Sequence, residues 1–226
     1  LPQTLDLAIR SVPPTVVDGE AARQRAEQLL SRQVTLRLAD DGVERSWTLG
    51  REIVARGIKP RQEVGDDGLT RWAVDFDPSP IEEWLDNIAR QVDRPLIDGR
   101  VRVDPATLRA SISVPSQSGR QVDRAAALER LLAALDGGPE MVELPVEIRY
   151  PYVTAEAVAS WGQLHLLSEG VSYFKGSDPG RKQNIVVGST AFHGVVVPPG
   201  EVFSFINYLG PITPAEGWAD AYVIVG

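Results

Sequence analysis

RWAVDFDPSPIEEWLDNIARQV, residues 71–92, holds in one run the two periodicities from which this chain is built. Trp72, Val74 and Phe76 alternate, the spacing of a strand whose successive side chains take opposite faces. Ser79-Pro80-Ile81-Glu82 then has the form of a capping box with proline in the first helical turn, two separate signals for a helix start. Beyond it, Ile81, Trp84, Leu85, Ile88 and Val92 recur at i, i+3, i+4, i+7 and i+11, which predicts a helix with one buried stripe. Strand and amphipathic helix in direct succession set the expectation for the segments on either side.

Toward the N-terminus, Asp18 is placed to cap a helix with Ala22, Ala26, Leu29 and Leu30 on one face. Val34, Leu36 and Leu38 alternate, Asp40-Asp41-Gly42 turns the chain, and Val43 and Trp47 return it as a hairpin. Thr48 is expected to cap a short helix carrying Ile53 and Val54, and Gly65-Asp66-Asp67-Gly68 is a turn. Toward the C-terminus, strands at 101–103 and 110–114 flank an Asp104-Pro105-Ala106 turn. A helix starting at Asp123 buries Leu128, Leu131, Leu132 and Leu135 and stops at Gly137-Gly138, after which a strand over 141–150 closes the unit. Residues 14–154 therefore read as an α+β domain of mixed helices and antiparallel sheet, with Trp47, Trp72 and Trp84 on core faces.

The ends read differently. Leu5-Asp6-Leu7-Ala8-Ile9-Arg10, followed by Pro14, matches Val142-Glu143-Leu144-Pro145-Val146-Glu147, followed by Pro151, so residues 1–13 are expected to be the tail strand of a preceding repeat. Residues 155–170 form a connector with Leu164, Leu166 and Leu167 beside glycines. Residues 171–226 are expected to be a smaller, β-rich partial domain with a strand at 171–174 and a β-rich apolar run over 185–197. Pro198-Pro199-Gly200 breaks that run, and Gly200 supplies a backbone able to take positive φ. Strand alternation after the turn puts Phe203 and Phe205 on one face and Ser204 on the other.

The 226 residues suffice for one large or two ordinary domains with their own cores, and 43% hydrophobic with 24% charged residues is the balance of a folded globular protein. A net charge of −8 speaks against a general nucleic-acid binder, which needs a basic face, and against docking on anionic lipid, though an acidic total leaves room for a local basic patch. There is no cysteine, so disulfides, thiolate metal sites and a cysteine nucleophile are excluded from these residues. No run approaches the ~18 apolar residues of a membrane span. The chain opens on Leu1 and its one methionine is Met141, which is the expectation for a processed or partial chain whose signal or membrane anchor lay upstream.

Chemical motifs are few. Ser172-Tyr173-Phe174-Lys175 has the S-x-x-K spacing of penicillin-binding enzymes, but that chemistry needs serine and lysine one helical turn apart, and no K-T-G follows. Gly176-Ser177-Asp178-Pro179-Gly180-Arg181-Lys182 has the wrong spacing for a phosphate loop and reads as a turn. His165 and His193 lie far apart without a metal-ligand pattern, so neither metal nor cofactor is expected. Asp75 with Asp77 and Glu82 with Glu83 sit around a helix start, where the helix dipole favours negative charge. Trp161 and Trp218, in less regular segments, are candidates to stack on sugar rings, with simple packing as the alternative. Arg181 and Asn184 form a polar pair ahead of an apolar run. Arginine there can clamp a carboxylate bidentately, or both side chains can tie down the Pro198–Gly200 turn.

The ordered string Arg181, Asn184, Ile185, Gly194, Pro199, Gly200, Glu201, Phe203, Ser204, Phe205, Gly210, Thr213, Gly217 and Ala221 resembles the VanW family. Residues 14 to about 151, through their strand–helix order and the Ser118-Gly119-Arg120-Gln121-Val122-Asp123 lead into the last helix, look like the peptidoglycan-binding domain family found upstream of VanW segments and beside L,D-transpeptidase domains. The pair implies an extracytoplasmic, wall-associated protein whose partner is peptidoglycan or its stem peptide. Arg181, Asn184, Ser204, Trp161 and Trp218 are then the candidate binding residues. VanW sequences continue into a glycine-rich segment with a Cys-Gln pair and a later histidine, whereas this one ends at Tyr222-Val223-Ile224-Val225-Gly226. The resemblance thus implies non-catalytic binding by these residues, with a peptidoglycan-peptide-modifying enzyme whose Cys and His lie past Gly226 as the alternative.

Overall fold

The structure, a computed structural model, describes residues 16–40 and 43–221. These form two compact units interleaved in sequence. One comprises the described residues up to Asp93 together with Gln121–Glu147, the other Arg94–Arg120 together with the described residues from Ile148 onward.

In the first unit, β1 (Val16–Asp18) leads into α1 (Glu20–Ser31), and Asp18 Oδ1 accepts the Glu20 amide at 2.9 Å. β2 (Thr35–Asp40) and β3 (Val43–Thr48) pair antiparallel with Leu36 opposite Trp47. α2 (Arg51–Gly57) follows, then β4 (Ile58–Val64) and β5 (Thr70–Phe76), antiparallel with Gln62 opposite Trp72. β1 adds to β5 in parallel, giving the order β1-β5-β4. α3 (Ser79–Val92) completes the run. The unit resumes with α4 (Arg124–Leu135) and β9 (Met141–Glu143), which pairs parallel to β2 and sets the order β3-β2-β9.

One core holds this unit together. Val34, Leu36 and Leu38 point inward from β2 and its approach, as their alternation dictates, and meet Ile81, Leu85, Ile88 and Val92 from α3 and Leu131 and Leu135 from α4. All nine are at most 3% exposed, and each large aliphatic buried this way is worth roughly 1.5–3 kcal/mol of transfer free energy. Asp123 caps α4 by accepting the Ala126 amide at 3.0 Å.

The second unit contains the hairpin β6 (Arg100–Val103) and β7 (Ala110–Val114), then α5 (Ala155–Ser160), α6 (Pro179–Phe192), α7 (Phe205–Leu209) and a 3-10 turn at Pro214–Glu216. β8 (Gly119–Val122) and β10 (Val146–Arg149) are the strands on which the chain passes from one unit to the other. Asp104 Oδ1 fixes the hairpin turn by accepting the Ala106 and Thr107 amides at 2.7 and 3.1 Å. The fully buried apolar set here is small: Val101, Val153 and Val158, with Ala110, Ile112, Trp161 and Val196 packed on it.

The α+β class holds, and several local expectations are corrected. Thr48 stays in β3, its hydroxyl 3.3 Å from that of Thr35, and Gly50 occupies the N-cap of α2. No capping box forms at α3: Asp77 Oδ1 accepts both the amide and the hydroxyl of Ser79, at 3.0 and 2.6 Å, because an aspartate before Pro78 reaches the backbone two residues on. β4 escaped notice because its IKPRQEV sequence is charged and contains Pro60, features of an edge strand. The expected 141–150 strand is two strands, β9 and β10.

The largest correction concerns the C-terminal region. No strand occurs among described residues beyond β10; residues 171–174 are irregular, and the Ile185-Val186-Val187 run lies inside α6. Asp178 and Pro179, read as a turn, are instead the N-cap and first helical residue: Asp178 Oδ2 accepts the amides of Gly180 and Arg181 at 2.9 and 3.3 Å. The three β-branched residues cost a helix at most about 0.7 kcal/mol each relative to alanine, a sum comparable with the ~0.5–2 kcal/mol that a good cap supplies. The expected tail strand of residues 1–13 and the Asp41-Gly42 part of the hairpin turn lie outside the described residues.

Candidate functional site

The sequence candidates converge on α6. This helix has no fully buried residue, and polar contacts to backbone engage both of its ends. At its N-terminal half Asn184 makes a two-way bond with one residue: Nδ2 donates to the Ala219 carbonyl at 2.8 Å and Oδ1 accepts the Ala219 amide at 2.8 Å. Gln183 Nε2 donates to the Gly217 carbonyl at 2.7 Å. A Cβ on Gly180 would collide with the Asp220 carbonyl, so glycine is required for the close approach of the helix and the strap of residues 217–220. At the other end, the Arg100 guanidinium donates to the carbonyls of Thr190, Ala191 and His193 at 3.3, 2.9 and 3.4 Å. A cation at those orphan carbonyls is also favoured by the helix dipole. The Val101 amide donates to the Gly194 carbonyl at 3.0 Å.

Past this helix, Pro198-Pro199-Gly200 turns as expected, with φ +83° at Gly200. Phe203 and Phe205 do share a side, both against Phe192, with ring centroids 5.9 and 4.7 Å away. Helix capping rather than strand alternation produces this: Ser204 is the N-cap of α7 and its Oγ accepts the Asn207 amide at 3.3 Å. Tyr208 stacks on Phe203 at 5.3 Å, and Phe203 and Phe205 remain 46% and 56% exposed.

Of the five candidates, the structure joins three. Arg181 and Asn184 stand one turn apart on α6, and Trp218 immediately precedes the Ala219 that Asn184 holds. The bonds of Asn184 go to the strap at Ala219, not to the Pro198–Gly200 turn. Arg181 is exposed, whereas Trp218 is half-buried and lies near Gly188. Ser204 serves the next helix, and Trp161 packs on the Val101–Val153–Val158 cluster. His165 and His193 are exposed, and among the described residues no group of three His, Asp or Glu side chains is arranged to hold a metal ion. No helix among them is long and apolar enough to cross a membrane.

Charged side chains of the first unit are mostly paired with one another at its surface. The Arg23 guanidinium, with the Gln24 amide, lowers the Glu20 carboxyl to about 2. Arg71 holds Asp67 well below the usual carboxylate range, and the two bonds from Ser79 lower the Asp77 carboxyl from its ordinary value. The residue that sequence reasoning misplaced is Trp72. Trp47 and Trp84 pack against the core as expected, but Trp72 is 41% exposed. Its neighbours were the available signal: the Gly19-Glu20-Ala21-Ala22 start of α1 is too small to cover an indole.

Two family profiles match the sequence. Residues 180–226 match the family described as "VanW like protein", and residues 43–143 match that described as "Putative peptidoglycan binding domain". Together they make this an α+β chain similar to two families, each over less than half of its length. More particularly, it is a chain in which a domain similar to the peptidoglycan-binding family precedes a VanW-like segment. The curated "Uncharacterized protein YoaR" of Bacillus subtilis (strain 168) is 34% identical over 113 residues, 50% of this chain and 37% of that protein. The chain thus spans little more than a third of that relative. The solved "Structure of the Ldtfm-avibactam carbamoyl enzyme" aligns with 59% of this chain and 46% of its own at 12% identity and a TM-score of 0.33, a likeness too slight to carry an argument.

Proposed function

We propose that this chain is a non-catalytic wall-binding module. The domain of residues 14–154 attaches to peptidoglycan or to a wall-associated partner, and the VanW-like segment follows it outside the cytoplasmic membrane. The observation that carries this reading is the order of the two family matches on one chain. The polar contacts around α6 support a scaffold role for Asn184 and Ser204, whose side chains are occupied by backbone amides. Arg181, exposed near the N-terminus of the same helix, is the group we assign to a stem-peptide carboxylate, for which the guanidinium fork is suited.

Sedimentation of the whole chain with isolated peptidoglycan sacculi tests the reading. Retention is expected at physiological salt, because a chain of net charge −8 does not owe its wall affinity to general attraction by anionic polymer. A chain left wholly in the supernatant would remove peptidoglycan as the partner. Arg181→Ala is expected to lower retention on intact sacculi and to leave retention on peptide-stripped glycan unchanged.

A further inference from the structure

Beside Trp72 lies a groove of about 310 Å³ whose walls come from α1 and β5, near the lower end of small-molecule sites. Its lining includes the exposed Trp72, Ala73 and Val74 of β5 and Ala21 and Ala22 of α1. Gly19 backs the indole edge, since a Cβ there would sit 3.3 Å from Cδ1 of Trp72. The surface is mainly apolar, yet three charged side chains, Arg25, Glu63 and Arg71, stand on its rim.

Each rim charge already has an opposite partner that is not part of the groove. Arg25 pairs with Asp136 at 2.7 Å, Glu63 with Arg61 at 2.8 Å, and Arg71 with Asp67 through bonds of 2.9 and 2.5 Å. The rim is therefore electrically balanced and held in place, with donors and acceptors presented but no net charge offered. Such a site does not suit an ion. It suits a neutral ring with one C–H-rich face and a polar edge, which stacks on an indole and hydrogen-bonds around its circumference.

We infer that this groove binds one N-acetylhexosamine ring of a glycan strand, stacked on Trp72, with ring substituents directed to Arg25, Glu63 and Arg71. This rests on the wall-binding reading and gives it a location on the first unit. An aromatic anchor of this kind carries much of a small site's affinity.

The test is titration of the whole chain with the β-1,4-linked trimer of N-acetylglucosamine, followed by tryptophan fluorescence and by amide and indole NMR shifts. We expect a saturable response that moves the Trp72 indole signal. Trp72→Ala should weaken binding roughly tenfold or more, and Trp72→Phe by less. Ala22→Leu keeps the indole and fills the groove from the α1 side, so it should abolish the response while thermal melting confirms the fold. Binding unchanged in Ala22→Leu and Trp72→Phe, or no saturable response in the parent chain, overturns the groove. Sacculus sedimentation of the parent decides the wall reading separately: sacculi retained without trimer binding leave that reading standing and the groove refuted.

Discussion

α3 and α6 have the same length, 14 residues, and each has a proline in its first turn and an aspartate that accepts a backbone amide there, Asp178 as the N-cap of α6 and Asp77 one residue ahead of the N-cap of α3. They are held by different physics. α3 buries Ile81, Leu85, Ile88, Ala89 and Val92 along one stripe. α6 buries nothing completely; Asn184 and Gln183 hold it near its start, and Arg100 together with the Phe192 ring contacts holds its end. A stripe of apolar contacts is non-directional and sums over many atoms, whereas a clamp of a few hydrogen bonds is directional and can be lost one member at a time. Two helices with similar start signals can thus differ widely in local stability.

The sharpest way to break the comparison is at Leu85, 1% exposed on α3. Leu85→Ala is expected to destabilise the first unit by about 2–5 kcal/mol, read from urea unfolding, since deletion leaves a cavity as well as losing burial. On α6 the matching blow is Asn184→Ala, which orphans both polar groups of Ala219 for an expected loss of about 1–2 kcal/mol. Hydrogen exchange should show it as faster exchange in residues 179–192 and 217–220, with α3 amides unmoved. Equal slowing or quickening in both helices would mean that the clamp is not what holds α6.

A smaller effect compares caps. Ser204→Ala removes the acceptor of the Asn207 amide and is expected to cost the short α7 about 0.5–1 kcal/mol, with loss of the near-ultraviolet signal of the Phe203–Tyr208 stack as the readout. Smallest is a pH effect at the start of α3. The Asp77 carboxyl is held below its ordinary value by Ser79. Its stabilising contribution is therefore complete above the unfolded carboxylate range, near pH 4, and is lost as pH falls through the lower folded value. The urea midpoint of the parent should decline below about pH 4 more steeply than that of Asp77→Asn.

The difference between the helices also explains what could be read beforehand. The α3 stripe, the Val34–Leu38 alternation and the Asp123 cap were legible because burial imposes a period on the sequence. α6 imposes none. Its β-branched run suggested a strand, and the cue that overrode it, Asp178-Pro179, reads equally well as a turn until the hydrogen bonds are seen. At the site, the polar character of Asn184 was visible, but its partner 35 residues away was not, since a bond to backbone leaves no mark on residue type. Trp72 was misplaced for the opposite reason. Its alternation with Val74 and Phe76 was correct, and what left it uncovered was the small size of residues on α1.

The interleaving of the two units has a consequence for biosynthesis. Residues 94–120 belong to the second unit yet leave the ribosome before residues 121–147, which complete the first. The first unit cannot close its core until α4 and β9 arrive, and the β6–β7 hairpin must wait still longer for Val153 and Val158. Neither unit is complete in one continuous stretch of these residues. A nascent chain paused between the two passes would display the unmated faces of both units at once, with Leu36 and Ile88 as well as Val101 open to solvent.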